Sequence, residues 1–124
     1  MIKLIDRYFI HRDERGLLEG LINFGEWKEF NMITSFSGAI RGNHYHKDTE
    51  EIFIILDGEI KVITQRIEND KRVGEPNEKV VKSGDVFTIK PLINHTFYIL
   101  QDSRWINCLS KKIIANNPDI HRVE

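Results

Sequence analysis

Short runs in which apolar and polar positions alternate every two residues dominate the sequence. These runs are rich in β-branched and aromatic side chains, which favour extended strands. They span residues 30–36, 51–56, 59–67, 86–89, 95–100 and 105–109. Asp57-Gly58 separates two of the runs, and Asp-Gly in that position is typical of a tight β-hairpin. The pattern predicts an all-β fold, either a sandwich or a barrel.

Three further segments complete the predicted organisation. Residues 20–30 form the only plausible short helix, although Gly25 in the middle weakens it. Residues 68–78 are the most polar stretch and contain Gly74 and Pro76, so they predict a long hairpin loop. Residues 2–10 predict an N-terminal strand. The scarcity of helical segments excludes a parallel α/β sheet, which needs crossover helices.

Length and composition narrow the class of protein. A chain of 124 residues predicts one domain over residues 1–124. Its 18 Lys and Arg residues nearly balance 19 Asp and Glu residues, so no broad basic footprint for nucleic acid or an anionic membrane surface is expected. The first residues become charged too early for a secretory signal. A single cysteine, Cys108, fits a reducing compartment. We therefore expect a cytoplasmic protein.

Three histidines and one glutamate stand out as candidate metal ligands. His44 and His46 project to the same face if they lie in one strand, because side chains two residues apart do so. Glu51 begins the next predicted strand, and His95 begins a later one. Neutral imidazole is a common ligand for zinc, iron, copper and nickel, and a nearby carboxylate completes a frequent ligand set. A His-x-His pair alone more often lies on the surface without binding a metal ion. The prediction therefore depends on the joint spacing of all four residues.

That spacing resembles the first motif of the cupin superfamily. The matching residues are Gly38, His44, His46, Glu51 and Gly58, without a gap. The resemblance implies a small antiparallel β-barrel of the jelly-roll type. It also implies that His44, His46, Glu51 and His95 converge inside the barrel and bind a divalent metal ion, with zinc favoured over nickel, iron or manganese.

The second cupin motif is only partly matched. Gly84 and His95 occur at the expected separation. Pro91 stands one position late, Leu92 replaces a glycine, and Ile99 replaces an asparagine. The motif therefore keeps the metal ligand His95 but loses two of its other residues.

A narrower resemblance concerns sugar-nucleotide cupins. Asp13-Glu14-Arg15-Gly16 and Arg41-Gly42-Asn43-His44 resemble segments of dTDP-4-dehydrorhamnose 3,5-epimerases and dTDP-sugar 3,4-ketoisomerases. Residues 42–58 and the tail Asn116-Asn117-Pro118-Asp119 resemble the C-terminal cupin of bifunctional capsular-polysaccharide enzymes. In that relative the cupin binds zinc and epimerises C3 of a UDP-linked 4-keto sugar.

The sequence also departs from the dehydrorhamnose epimerases. Those enzymes have glutamine where His46 stands and use a lysine near the place of Glu51. They also carry a tyrosine acid on a late strand, and residues 108–112 contain no tyrosine. The ligand set instead suits the metal-bearing variant.

These resemblances imply an isomerase or epimerase that acts on a nucleotide-linked 4-keto-6-deoxy sugar in surface polysaccharide biosynthesis. The reaction would be metal-assisted proton abstraction next to the ketone. His44 and His46 are the catalytic candidates, because either one could double as ligand and base. Arg15 and Arg41 are the expected contacts to the substrate diphosphate. We expect a homodimer that pairs through the strand at residues 2–10.

Several alternatives remain open at this level. The same three-His, one-Glu set suits a metal-dependent cupin oxygenase, and a non-catalytic sugar-binding cupin would also fit. Cys108 with His95 could form a nucleophile–base pair, but a small buried apolar residue is favoured. Tyr98 could donate a proton, yet it falls on the strand face opposite His95. Arg41 could also be an exposed surface arginine.

Overall fold

The structure is a computed structural model that describes residues 1–123 and is built from antiparallel strands. No helix occurs in that part of the chain, so no segment of it is long and apolar enough to cross a membrane as a helix. The strands are β1 (Lys3–Leu4), β2 (Phe9–Asp13), β3 (Gly16–Gly20), β4 (Glu29–Ser35), β5 (Ile40–His44), β6 (Glu51–Asp57), β7 (Glu59–Glu68), β8 (Lys71–Lys82), β9 (Val86–Ile89), β10 (Ile93–Ile99) and β11 (Ser103–Leu109).

Two sheets face each other around one core. Five strands pair in the order β1-β9-β6-β11-β4 and four in the order β5-β10-β7-β8. The inner faces meet through four aromatic rings, in which Phe53 stacks on Phe87 at 5.1 Å and Phe97 meets Trp105 edge-on at 4.9 Å between ring centroids. The predicted all-β antiparallel architecture is confirmed.

The Asp57-Gly58 turn is also confirmed, and it shows why a glycine is needed there. Gly58 has φ +100°, and a Cβ at this position would lie 2.6 Å from the carbonyl oxygen of Asp102. Only glycine allows the β6–β7 hairpin to pack this closely against the start of β11.

The prediction of a helix over residues 20–30 is wrong. Leu21, Ile22 and Trp27 instead pack on the outer face of the five-stranded sheet, against a buried cluster of Ile52, Val86 and Cys108. Gly25 has φ +76°, a left-handed conformation that interrupts a right-handed helix. Burial of this apolar segment on the sheet therefore outweighs its weak helical propensity.

The prediction of a long loop over residues 68–78 is wrong as well. β7 and β8 continue as a ladder to a tight turn at Asn69 and Asp70, both with positive φ. Pro76 is tolerated because β8 is an edge strand, where a missing donor need not break a ladder. Residues 68–78 are largely exposed on both faces, so this part of the sequence shows no alternation to reveal a strand.

The N-terminal residues 2–10 form two strands rather than the single one expected. β1 pairs with β9 at one edge of the five-stranded sheet, whereas β2 pairs with β3 in a separate two-stranded sheet. This β2–β3 hairpin exposes four large apolar side chains. They are Phe9, Ile10, Leu17 and Leu18.

Candidate active site

The four candidate ligands come from neighbouring strands and lie together inside the barrel. His44 ends β5, His46 follows in the connection, Glu51 begins β6, and His95 lies on β10 directly opposite His44. The ligand atoms of these four residues all lie within 4.8 Å of one another. His46, Glu51 and His95 are buried, and His44 is partly buried. The structure thus brings together the set that sequence spacing indicated.

Gly42 is the local feature that lets β5 approach His95. It has φ +83°, and a Cβ there would lie 2.8 Å from the main-chain oxygen of His95. Asn43 also has positive φ, at 57°. The Arg-Gly-Asn-His segment therefore contains a backbone distortion that places His44 against β10, where the ladder has a bulge after His95.

Hydrogen bonds to main-chain carbonyls fix two of the imidazole rings. Nδ1 of His46 bonds to the oxygen of Asp119, and Nδ1 of His95 bonds to the oxygen of Ile93 at 3.1 Å. A carbonyl only accepts, so each Nδ1 carries a proton. In the neutral rings Nε2 then presents a lone pair toward the interior of the cluster.

Both lone pairs point at the same carboxylate oxygen. Glu51 Oε1 lies 2.6 Å from Nε2 of His46 and 3.3 Å from Nε2 of His95. Within residues 1–123, Nε2 of His95 has no partner with hydrogen-bond geometry although it is buried. Three acceptors around one point favour a cation between them, because unpaired buried polar atoms are costly. This donor set can hold a divalent metal ion.

Titration of the cluster follows from burial and from these contacts. Burial of Glu51 acts to raise its pKa, but the close contacts with the imidazoles of His46 and His95 outweigh it and hold the pKa well below its usual range. Burial acts to lower the pKa of His46, whereas its bonds to Glu51 and Asp119 raise that pKa overall. Burial and the neighbouring imidazoles lower the pKa of His44 to about 4. Glu51 is therefore anionic and His44 neutral near pH 7.

Asn107 holds the other oxygen of Glu51. Its Nδ2 donates to Glu51 Oε2 at 3.1 Å, while its buried Oδ1 has no partner within residues 1–123. Asn107 lies opposite Asn31 of β4, an edge strand, and both amides are only partly buried. Asn107 thus anchors the second oxygen of Glu51 at the border of the cluster.

The two predicted arginines lie in different places. Arg41 stands opposite Phe97 on edge strand β5, so it lies on the inner face of the sheet, with its side chain exposed. Arg15 lies at the turn of the β2–β3 hairpin, where its guanidinium pairs with Asp13 at 2.6 Å. The structure therefore puts Arg41 on the strand that carries His44, whereas Arg15 lies on a separate sheet.

Two alternative chemical roles find no support in the fold. Cys108 lies with Ile52 and Val86 on the outer face of the five-stranded sheet, away from the barrel interior that holds His95. Tyr98 faces outward beneath the Lys61 ammonium, which lies 4.9 Å from the ring centroid. Neither side chain is placed to react in the cluster.

Asp119, His121 and Asn107 were missed by sequence reasoning. No role was predicted for His121, yet its main chain pairs with that of Tyr45, which lies between His44 and His46. Asp119 was noted only as part of a tail resemblance. Its contact with His46 spans 73 residues of chain, a separation that no local pattern encodes.

Comparison with known families agrees with the fold. The family model described as Polysaccharide biosynthesis C-terminal domain matches residues 11–111, well over half of the chain. The chain belongs to this family. No curated protein matches this chain in sequence.

Solved structures with low sequence identity share the architecture. The 3,4-ketoisomerase QdtA of Thermoanaerobacterium thermosaccharolyticum, solved with TDP, is 21% identical with TM-score 0.73 over 98% of this chain and 86% of its own. A 3,4-ketoisomerase of Helicobacter canadensis is 20% identical with TM-score 0.77 over 98% and 90%. The capsular polysaccharide assembling protein CapF of Staphylococcus aureus is 21% identical with TM-score 0.71 over 98% and 34%. These similarities confirm the expected cupin-type barrel.

Proposed function

We propose that the protein is a cytoplasmic isomerase that acts on a nucleotide-linked 4-keto-6-deoxy sugar, as an epimerase or a ketoisomerase of surface polysaccharide biosynthesis. The observation that carries this proposal is the buried cluster in which Glu51 meets two Nε2 atoms beside His44. The family membership and the two ketoisomerase structures with the same fold support the substrate class. QdtA was solved with TDP, a nucleoside diphosphate.

His44 is the residue best suited to act as the base. Within residues 1–123 its ring forms no hydrogen bond, whereas both nitrogens of His46 are engaged. Its lowered pKa keeps the ring neutral and able to accept a proton. A ketone at C4 acidifies the proton on C3. A ring nitrogen of His44 would take that proton, and the C–H electron pair would move into the enediolate. In an epimerase a different proton, supplied by solvent, would then reach C3 from the opposite face. In a ketoisomerase the proton would be added to C4 while the O3 hydroxyl proton passes to O4, which leaves the ketone at C3.

His46, Glu51 and His95 would hold the metal ion, with His44 as a fourth ligand when it is not acting as base. Zinc suits this set, and nickel, iron or manganese are the alternatives. The ion would supply Lewis-acid polarisation of the substrate ketone oxygen. Asn107 keeps the Glu51 carboxylate oriented, since it occupies Oε2 and leaves Oε1 to the histidines.

Arg41 and Arg15 are the proposed contacts to the diphosphate. A guanidinium presents a fork of donors that matches phosphate oxygens. The position of Arg41 on the inner face of β5 supports its role directly. For Arg15 the proposed contact would be made across a homodimer, in which the exposed β2–β3 hairpin that carries it would reach the barrel of the partner subunit.

Deuterium exchange tests the reaction. A nucleotide-linked 4-keto-6-deoxyhexose incubated with the protein in deuterated water should gain deuterium, at C3 in an epimerase or at C4 in a ketoisomerase, seen by mass spectrometry and NMR. His44→Asn should keep its metal and lose exchange by about 10²–10⁴-fold, as expected for removal of a general base. His46→Asn should lose both metal and exchange. Absence of exchange with dTDP-, UDP- and GDP-linked substrates, from a folded and metal-loaded sample, contradicts the proposal.

The donor set itself favours one second candidate, a metal-dependent oxygenase. Three histidines and one glutamate also suit non-haem iron. Such an enzyme would consume oxygen in the presence of its substrate and require iron. An isomerase consumes no oxygen, so an oxygen electrode distinguishes the two. Tight sugar-nucleotide binding without either reaction would instead indicate a binding module.

A further inference from the structure

The C-terminal segment, residues 117–122, forms a strap across the candidate site. Its main chain pairs with Tyr45 through two hydrogen bonds of 2.9 Å, one in each direction with His121. Arg122 donates to the main-chain oxygens of Gly42 and Asn43 at 3.3 and 3.0 Å. The strap lies beyond residues 11–111, the part of the chain that the family model matches. Family membership therefore assigns it no role.

The carboxylate of Asp119 organises the connection between two candidate ligands. It accepts hydrogen bonds from the main-chain N–H groups of Lys47, Asp48 and Thr49 at 2.8–2.9 Å. The hydroxyl of Thr49 donates to it at 2.9 Å, and Nε2 of His121 lies 2.9 Å from its other oxygen. These three consecutive residues join His46 to the start of β6. One carboxylate thus fixes the backbone on which His46 and Glu51 are set.

The main-chain carbonyl of the same residue contacts the site itself. The carbonyl oxygen accepts a hydrogen bond from the Nδ1–H group of His46. This bond sets the protonation of the ring and turns Nε2 toward Glu51, 2.6 Å away. Partners of this kind orient the ring of a metal-binding histidine and strengthen the ligand. Asp119 is therefore connected to His46 twice, through its carboxylate to the following loop and through its carbonyl to the ring.

We infer that Asp119 is a positioning residue, which holds His46 with Nδ1 protonated and Nε2 directed at the ligand cluster. The metal half of this inference rests on the proposed function, but the orientation of His46 does not. Asp102 offers a matched comparison, because its carboxylate also caps a distant loop, at the N–H of Ser37, 65 residues away in sequence. Asp102 has no contact with the cluster. Substitution of Asp102 therefore removes a loop cap without affecting the orientation of the His46 ring, and the two effects can be measured separately.

Nitrogen-15 NMR of the imidazole rings in metal-free, full-length protein provides the direct test. Wild type should show a protonated Nδ1 on His46 with a downfield, slowly exchanging proton. Asp119→Ala should lose that protected proton, and Asp102→Ala should retain it. Asp119→Asn keeps the size of the side chain and serves if Asp119→Ala fails to fold. Competition with a chelator should show zinc affinity weakened at least about 10-fold by either Asp119 variant and unchanged in Asp102→Ala.

The outcomes separate this inference from the proposed function. A protected Nδ1 proton and wild-type zinc affinity in a folded Asp119 variant would overturn it, as would a wild-type His46 without a proton on Nδ1. If wild type binds no metal but Asp119→Ala still releases the Nδ1 proton, the positioning role stands and metal assistance fails. If wild type binds metal without catalysing exchange, the loss of affinity still tests Asp119.

Discussion

Glu51 Oε1 lies 2.6 Å from Nε2 of His46, and both side chains are buried in the barrel. An ionised carboxylate and an imidazole lone pair repel each other unless a proton or a metal ion lies between them. A proton can serve only one imidazole at a time, and His95 Nε2 points at the same oxygen from 3.3 Å. A metal ion satisfies all three atoms together.

The first prediction concerns metal content. Protein purified without chelator should contain close to one equivalent of a divalent ion, measured by elemental analysis. Removal of the ion should lower the melting temperature, because a ligand at 1,000 times its Kd contributes about 4 kcal/mol to the folded state. Glu51→Gln keeps the size of the side chain but removes its charge, so it should abolish both metal retention and the thermal shift.

Glu50→Gln is the matched control for that substitution, because Glu50 directly precedes Glu51 in the chain yet lies outside the cluster. It should retain the ion and the thermal shift. Wild-type protein that is isolated without metal, and that gains no stability from zinc, nickel, iron or manganese, would contradict the prediction.

The second prediction concerns Gly42. Gly42→Ala should lower the free energy of unfolding, both through its left-handed backbone and through the 2.8 Å approach of the new Cβ to the His95 carbonyl. Gly74→Ala has a similar φ, +72°, but open space around it. The control should lose about 1–2 kcal/mol from backbone strain alone, and Gly42→Ala should lose more. Urea unfolding measures both, and equal losses would show that the close approach to β10 is unimportant.

Most of the strands and the clustering of three of the four candidate ligands could be predicted because their signals are local. Alternation every two residues marks strands with one buried face, as in β7, and an Asp-Gly pair marks a tight hairpin. The His44, His46 and Glu51 spacing spans a single strand connection, so short-range geometry suffices to bring these three side chains together. His95 was placed by a motif resemblance rather than by periodicity.

The remaining features depend on contacts that are distant in sequence. Residues 21–28 lie on the sheet because a buried apolar surface is available there, which no local propensity encodes. The strand at residues 71–78 was missed because both of its faces are largely exposed and show no alternation. Asp119 acts through loop donors about 70 residues away. A carboxylate that caps a loop is common in proteins, but the sequence of the C-terminal tail does not show which loop Asp119 caps.

The third prediction concerns Cys108. Burial raises the pKa of its thiol, so the reactive thiolate is scarce at pH 8, and the side chain is enclosed by Ile52 and Val86. Iodoacetamide should leave the native protein unmodified at that pH and alkylate it fully in urea, as followed by mass spectrometry. Cys108→Ala should retain deuterium exchange. Rapid alkylation of the native protein, or loss of exchange in this variant, would restore Cys108 as a candidate nucleophile.

The fourth prediction concerns assembly. The β2–β3 hairpin exposes Ile10 at 60% and Leu18 at 61%, on opposite faces, which is unusual for a surface that remains in water. Light scattering should give twice the chain mass of 14.6 kDa. Ile10→Glu or Leu18→Glu should shift the protein toward the monomer. Val80→Glu, at a side chain 44% exposed on β8, should not. A monomeric wild-type protein at micromolar concentration would contradict the homodimer.

The fifth prediction concerns recognition of the substrate. Arg41→Lys keeps the positive charge but loses the fork of donors, so it should weaken binding of a nucleoside diphosphate such as TDP in calorimetry. A hydrogen bond to a charged group contributes about 1.5–3 kcal/mol, so loss of one corresponds to roughly tenfold weaker binding or more. Arg104→Lys is the matched control, because Arg104 is exposed on the outer face of β11, beside the inward-facing Trp105. It should bind as wild type does. Equal affinity in both variants and wild type would remove Arg41 from the site and leave the diphosphate to be held elsewhere in the barrel.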